Sequence, residues 1–145
     1  MGLFIATVKR HGLFLHARSN FCSIGTTEFE VNSDGYVNDS EVLPFYNGEK
    51  RQANLVITAG LIHRLSKQLY VFEGAGYGKA STAWQLDQSE GNGWALCSDH
   101  SSKGVSMEAG LMWHNDRLAV MMSASNIKCK QWQMNIGVGI RLGKK

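Results

Sequence analysis

The chain has 145 residues with one proline, sixteen glycines, 43% hydrophobic and only 19% charged residues, and a formal net charge of +3. That length holds one domain, residues 1–145, and suffices for either a soluble core or an eight-stranded barrel. No apolar run approaches the ~20 residues of a membrane helix, which excludes a helical membrane protein. The basic residues are scattered or sit in turns, so nucleic-acid binding has no electrostatic footprint here. A basic N-terminal region followed by an apolar block and a small-residue cleavage site is absent. The chain is therefore expected to be, if exported, the mature form or a fragment.

Side chains of a strand alternate between two faces, and this period organises most of the sequence. GLFIATV (residues 2–8) and LFLHARSNF (residues 13–21) flank a turn at Lys9-Arg10-His11-Gly12 and read as a hairpin. In the second strand Leu13, Leu15, Ala17 and Phe21 share one face and His16, Arg18 and Asn20 the other; the first strand is apolar on both. Residues 22–52 are rich in Asn, Asp, Glu, Ser and Gly, carry Pro44, and are expected to form a long loop. Residues 53–65 resume the alternation, with Leu55, Ile57, Ala59 and Leu61 against Asn54, Thr58, Gly60 and Arg64.

Ser66-Lys67-Gln68 makes a tight turn. The next strand opens at Leu69, with Tyr70, Phe72, Gly74, Gly76 and Gly78 expected on the apolar face and Glu73, Tyr77, Lys79 and Ser81 on the polar one. Residues 86–103 read as a second polar loop. Val105, Met107, Ala109, Leu111 and Trp113 then alternate with Ser106, Glu108, Gly110 and His114, and the chain returns after Asn115-Asp116 through Leu118, Val120, Met122 and Ala124. The last segment, residues 132–142, divides most cleanly: Trp132, Met134, Ile136, Val138, Ile140 and Leu142 against Gln133, Asn135, Gly137, Gly139 and Arg141.

Seven strands are thus predicted. Short turns near residues 10, 67 and 116 alternate with two long loops and a shorter link near Lys128. Apolar-out, polar-in segments of about ten residues, with short turns on one side and long loops on the other, are the signature of a transmembrane β-barrel. The pattern, with the closing QWQMNIGVGIRL (residues 131–142), resembles the small eight-stranded outer-membrane barrels of Gram-negative bacteria, the class of the outer-membrane protein A transmembrane domain. The resemblance covers nearly the whole chain. It implies an all-β, antiparallel up-and-down transmembrane β-barrel in the bacterial outer membrane, with outer-membrane lipid and the barrel-assembly machinery as partners. A structural or surface-interaction role through the outer loops would follow, with no catalysis and no cofactor. Two departures stand out. The chain ends Gly143-Lys144-Lys145 instead of on an aromatic, and seven strands is one short of an even count. The expected reason is a missing signal and first strand at the N-terminus.

Arg18, Arg64, Glu73, Lys79, Glu108 and Arg141 all fall on the faces read as polar. A barrel of this size is filled by side chains, and isolated buried charges are expensive, so these groups are expected to pair into a closed lumen network. Arg18, Glu73 and Glu108, at similar distances from their short turns, are expected to meet. A gated pore or a catalytic carboxylate pair is the functional alternative. Tyr70, Phe72 and Trp113 approach the short-turn end and Trp84 and Trp132 the loop end, as two interfacial girdles would; soluble-core aromatics are the alternative.

Cys22, Cys97 and Cys129 fall at the loop end. Cys97 with Cys129 is the expected disulfide if that end is oxidising, against unpaired thiols. Tyr36, Phe45, Tyr46 and Trp94 are candidate loop contacts for an extracellular partner. No Cys or His spacing suggests zinc. Asp99-His100-Ser101 are sequence neighbours and cannot form a nucleophile-to-base geometry. GAGYG at residues 74–78 is followed by no strand-to-helix transition and is not a phosphate loop. Two rivals remain open: a soluble lipocalin-like barrel holding a small apolar ligand, with its apolar rows inward, and a membrane-embedded lipid or peptide hydrolase.

Overall fold

The structure, a computed structural model, describes residues 1–7, 10–20, 22, 24, 27–34, 36–37, 46–86, 93–115 and 117–140, the side chains of residues 28, 29 and 46–48 excepted. Among the described residues eight strands follow in chain order: β1 (Gly2–Ala6), β2 (His11–Ser19), β3 (Thr27–Val31), β4 (Tyr46–Arg64), β5 (Leu69–Leu86), β6 (Trp94–His114), β7 (Leu118–Ile127) and β8 (Gln131–Ile140). Seven of them form one sheet in the order β1, β2, β4, β5, β6, β7, β8, each neighbour antiparallel to the next. The sheet curls into a half-barrel, with β1 and β8 as its edges.

The links from β1 to β2, β4 to β5 and β6 to β7 lie at one end. The ends of β2, β5 and β7 and the start of β8 lie at the other, where β3 adds in parallel to residues 94–97 of β6. The long loops are therefore shorter than the composition suggests. Residues 22–52 contain β3 and the start of β4, and β6 begins at Trp94 instead of after residue 103. These stretches carry no clean alternation because they rise past the curled wall, where neither face of the strand is uniformly apolar or polar.

Alternation decides the faces of the wall. Phe14, His16 and Arg18 of β2, Val56, Thr58 and Ile62 of β4, and Ser106, Glu108, Met112 and His114 of β6 are buried on the concave side. Leu13, Leu15, Leu55, Ile57, Leu61, Val105, Met107, Leu111 and Met122 are exposed on the convex side. The concave side has three levels, the one nearest the loop end formed by buried Val56, Ala80 and Ile127. Nearest the short links, Phe14, Ile62, Tyr70, Phe72, Met112 and Met121 form an apolar cluster with Phe4, Ala6 and Ala119 against it. Its rings lie in contact, with centroids 5.5 Å apart for Phe4 and Phe14, 5.1 Å for Phe4 and Phe72, and 5.0 Å for Phe14 and Phe72. The middle level is polar.

This arrangement corrects the reading of β5. Tyr70 and Phe72 are 2% and 0% exposed and fill the interior, so they belong to no outer girdle. Glu73 and Lys79 are exposed on the convex face instead of in the lumen. The apolar character of Tyr70 and Phe72 suggested an outward row, but the narrow interior at the short-link end takes rings as filler. Glycines beside them make the room: a Cβ on Gly74 would come within 2.7 Å of Phe14 Cζ, and one on Gly110 within 2.6 Å of Phe72 Cζ. Gly74, Gly76 and Gly78 consequently lie on the inner face.

At the loop end a separate small cluster of Val31, Leu86, Ala95 and Cys97, with Val37 against it, holds β3 onto the ends of β5 and β6. A register irregularity between Ala80 and Thr82 separates this extension from the wall below.

Candidate functional site

Glu108 is the centre of the polar level. It is inward because Met107 and Ala109 take the convex face, and its carboxylate side chain is fully enclosed. His16 of β2 contributes Nδ1 at 2.8 Å from Oε1, and Ser123 Oγ of β7 donates to the same oxygen at 2.6 Å. Thr58 Oγ1 of β4 donates to Oε2, and Arg18 Nη2 stands 3.8 Å from Oε2. Arg18 Nη1 donates to Ser125 Oγ at 2.9 Å, and Asn135 Nδ2 of β8 donates to Ser123 Oγ at 3.3 Å. Side chains from β2, β4 and β7 thus converge on one carboxylate of β6, and β8 joins them through Ser123. A buried charge is tolerated when it is paired and its lone pairs are occupied, and this cluster meets both conditions for Glu108.

For Arg18 it does not. Nε and Nη2 are buried and have no hydrogen-bond partner. Arg18 also lines a cleft of about 800 Å³ that opens between β1 and β8, with His16, Gly2, Gln133 and Asn135 on its walls.

Ser123, His16 and Glu108 are the residue types of a hydrolytic triad, but the geometry is not one. Nucleophilic catalysis needs the hydroxyl bonded to the imidazole and the imidazole oriented by the acid. Here hydroxyl and ring both bond the same carboxylate oxygen, so nothing draws a proton from Ser123. The arrangement can tie strands together and fix the height of Arg18.

Of the six expected lumen charges, the structure brings Arg18 and Glu108 together. Arg64 is exposed at the end of β4, and Glu73 and Lys79 face outward. Arg141 lies outside the described residues. His16, Thr58, Ser123 and Ser125, which hold the carboxylate and the guanidinium, were legible as inward positions but had no charge to single them out. Trp113 and Trp132 are outward and 43% and 71% exposed. Trp84 is half-buried with Lys50 Nζ 4.3 Å above its ring.

The expected Cys97–Cys129 disulfide is absent: both are free thiols. Cys97 is enclosed under β3 and donates to Asn32 O at 3.7 Å, whereas Cys129 sits exposed on the β7–β8 turn, so the sheet keeps them in different places. Tyr36 is exposed, as a loop contact requires, but Trp94 is 6% exposed with the Arg51 guanidinium 4.5 Å above its ring, so it is a packed residue of β6. Tyr46 opens β4. Phe45 and the ring of Tyr46 lie outside the described residues.

One pair escaped sequence reasoning altogether. His11 and His63, 52 positions apart, face each other across β2 and β4 with their Nδ1 atoms 2.9 Å apart. Only the strand register reveals it. Among the described residues no third His, Cys, Asp or Glu joins them in a metal-binding group.

The chain matches no protein-family model, no curated protein and no solved structure.

Proposed function

We propose that this chain forms the wall of a small transmembrane β-barrel of a bacterial outer membrane, closed within by the Glu108 network, with a structural or surface-interaction role carried at its loop end. The observation that carries this reading is the outer row of β8. Trp132, Met134, Ile136, Val138 and Ile140 are 71–83% exposed, while Gln133 and Asn135 between them face the cleft and the polar level. Water offers no reason to hold five large apolar side chains in that state, because each would gain about 1.5–3 kcal/mol by burial. Hydrocarbon removes the penalty.

The belt has the right height. On β6 the outward apolar row runs from Val105 to Trp113, eight steps of about 3.4 Å, or roughly 21 Å along the axis at a tilt near 40°. An apolar band of about 25 Å is the norm for such barrels. Its loop-end border carries Lys79 and Lys103, which face each other across β5 and β6. Glu73, opposite Leu61 and Ala109, is the one carboxylate within the belt among the described residues. A lipid-binding soluble barrel needs the reverse arrangement, with apolar rows inward and charges outward. The asymmetry of short links and long connections favours an outer-membrane orientation with β3 and Tyr36 outside the cell.

The deciding measurement is behaviour in detergent. The protein is expected to need detergent to stay in solution and to migrate differently on a denaturing gel before and after boiling. A freely water-soluble monomer with no detergent dependence sinks the proposal.

A further inference from the structure

Six successive antiparallel pairings make β1 and β8 run in the same direction. The edges therefore cannot close directly on each other as an antiparallel pair. A second copy in the same membrane orientation meets the same obstacle, because β8 of one copy would lie parallel to β1 of the other. A single strand of opposite direction satisfies both edges at once. In a bilayer this vacancy is costly, since unpaired strand edges find no water to bond and are not tolerated in hydrocarbon.

The cleft between those edges adds chemistry to that geometric requirement. Arg18, buried at 7% exposure, lines it with Nε and Nη2 unsatisfied. Gly2, the β1 residue paired with Arg18, offers no side chain there: a Cβ would lie 3.0 Å from Arg18 Cγ. Across the cleft, Gln133 and Asn135 keep the β8 wall polar at this level. The guanidinium Nε and Nη2 thus have no acceptor on β1 and lie enclosed beside the vacant place in the sheet.

We propose that the opening between β1 and β8 receives one further polypeptide strand of about ten residues, antiparallel to both edges, which carries a hydrogen-bond acceptor side chain on its inward face opposite Arg18. This rests on the membrane-barrel reading. The strand enters at the short-link end, leaves beside Met1, turns apolar residues outward to complete the belt, and supplies the missing partner of Arg18 Nε and Nη2.

The test uses the full chain folded in detergent micelles and two synthetic ten-residue strand peptides of alternating apolar and polar residues. The peptides differ at one inward position, Gln in one and Leu in the other, set opposite Gly2. Binding is read by fluorescence anisotropy of the labelled peptide and by mobility of the unboiled complex. The Gln peptide is expected to bind about tenfold more tightly, as one added bond to a charged group implies, and Arg18→Met is expected to abolish the difference. If Arg18→Met does not fold, the comparison of the two peptides on the unaltered chain still decides. Equal affinity for both peptides, or micelles holding two copies of the chain that take up neither, overturns this inference while leaving the membrane reading intact. A water-soluble monomer overturns both.

Discussion

Below the level of Lys79 and Lys103 the strands turn Ile57, Leu111 and Ile136 outward and enclose Thr58, Glu108 and Ser123; above it, β3 and the ends of β5 and β6 enclose Val31, Leu86, Ala95 and Cys97. The same strands, β5 and β6, run through both regions, with the register irregularity between Ala80 and Thr82 at the junction, and that shift moves the buried face of β6 from Ser106 and Glu108 to Ala95 and Cys97. The chemistry enclosed also follows what each region contacts. The extension buries apolar side chains as a water-exposed sheet does. The wall does so at the short-link end, where an aromatic cluster fills the interior, and in the small cluster of Val56, Ala80 and Ile127, and otherwise presents its apolar rows outward. On the membrane reading proposed above, a boundary between two solvents near Lys79 and Lys103 accounts for the contrast.

Four substitutions can break or sharpen it. The largest effect is expected inside the wall: Glu108→Leu strands Arg18 as an unpaired buried charge and should cost about 3–5 kcal/mol. Urea titration of the protein in detergent checks this, and Arg18→Leu combined with Glu108→Leu should recover part of the loss. Next comes the outer face. Ile136→Arg, at the middle of the β8 row, is expected to lower stability in lipid bilayers by about 2–4 kcal/mol; a neutral result there would argue that this face meets water.

In the extension, Leu86→Ala removes a fully buried side chain and should cost about 2 kcal/mol. Limited proteolysis should then cut near β3 and the start of β6 first, with the boiled-versus-unboiled gel difference unchanged. Loss of that gel difference would mean that wall and extension fold as one unit. The smallest effect is expected at Glu73→Leu, which removes the carboxylate from the apolar belt and should stabilise the protein in bilayers by ~1 kcal/mol. In water the same change adds exposed apolar surface and should reduce solubility.

Much of this was legible before any coordinates. On β8, and at the polar level of β6 and β7, apolar and polar side chains keep to separate faces, so parity alone sets Glu108 opposite Met107 and Gln133 opposite Ile136, and the seven wall strands and their short links appear where the alternation breaks. β5 was legible only in position. Val71, Glu73, Ala75, Tyr77 and Lys79 share one face and Tyr70, Phe72, Gly74, Gly76 and Gly78 the other, so both faces mix chemistries and the period cannot say which is inside. The ring cluster decides, because Phe72 fits against Phe4 and Phe14 and the glycines give it space. β3 was hidden for another reason: five residues paired in parallel to a distant segment leave no local signal.

The sequence by itself determined the alternation, and with it the division of each clean strand into an apolar and a polar row, because that period is a property of extended backbone. Only the tertiary structure decided which strands became edges, that Arg18 and Glu108 share one enclosure with His16, Thr58 and Ser123, and that His11 meets His63. Those facts depend on register between segments far apart in the chain, and register is fixed by packing across the curled sheet, which no single strand contains.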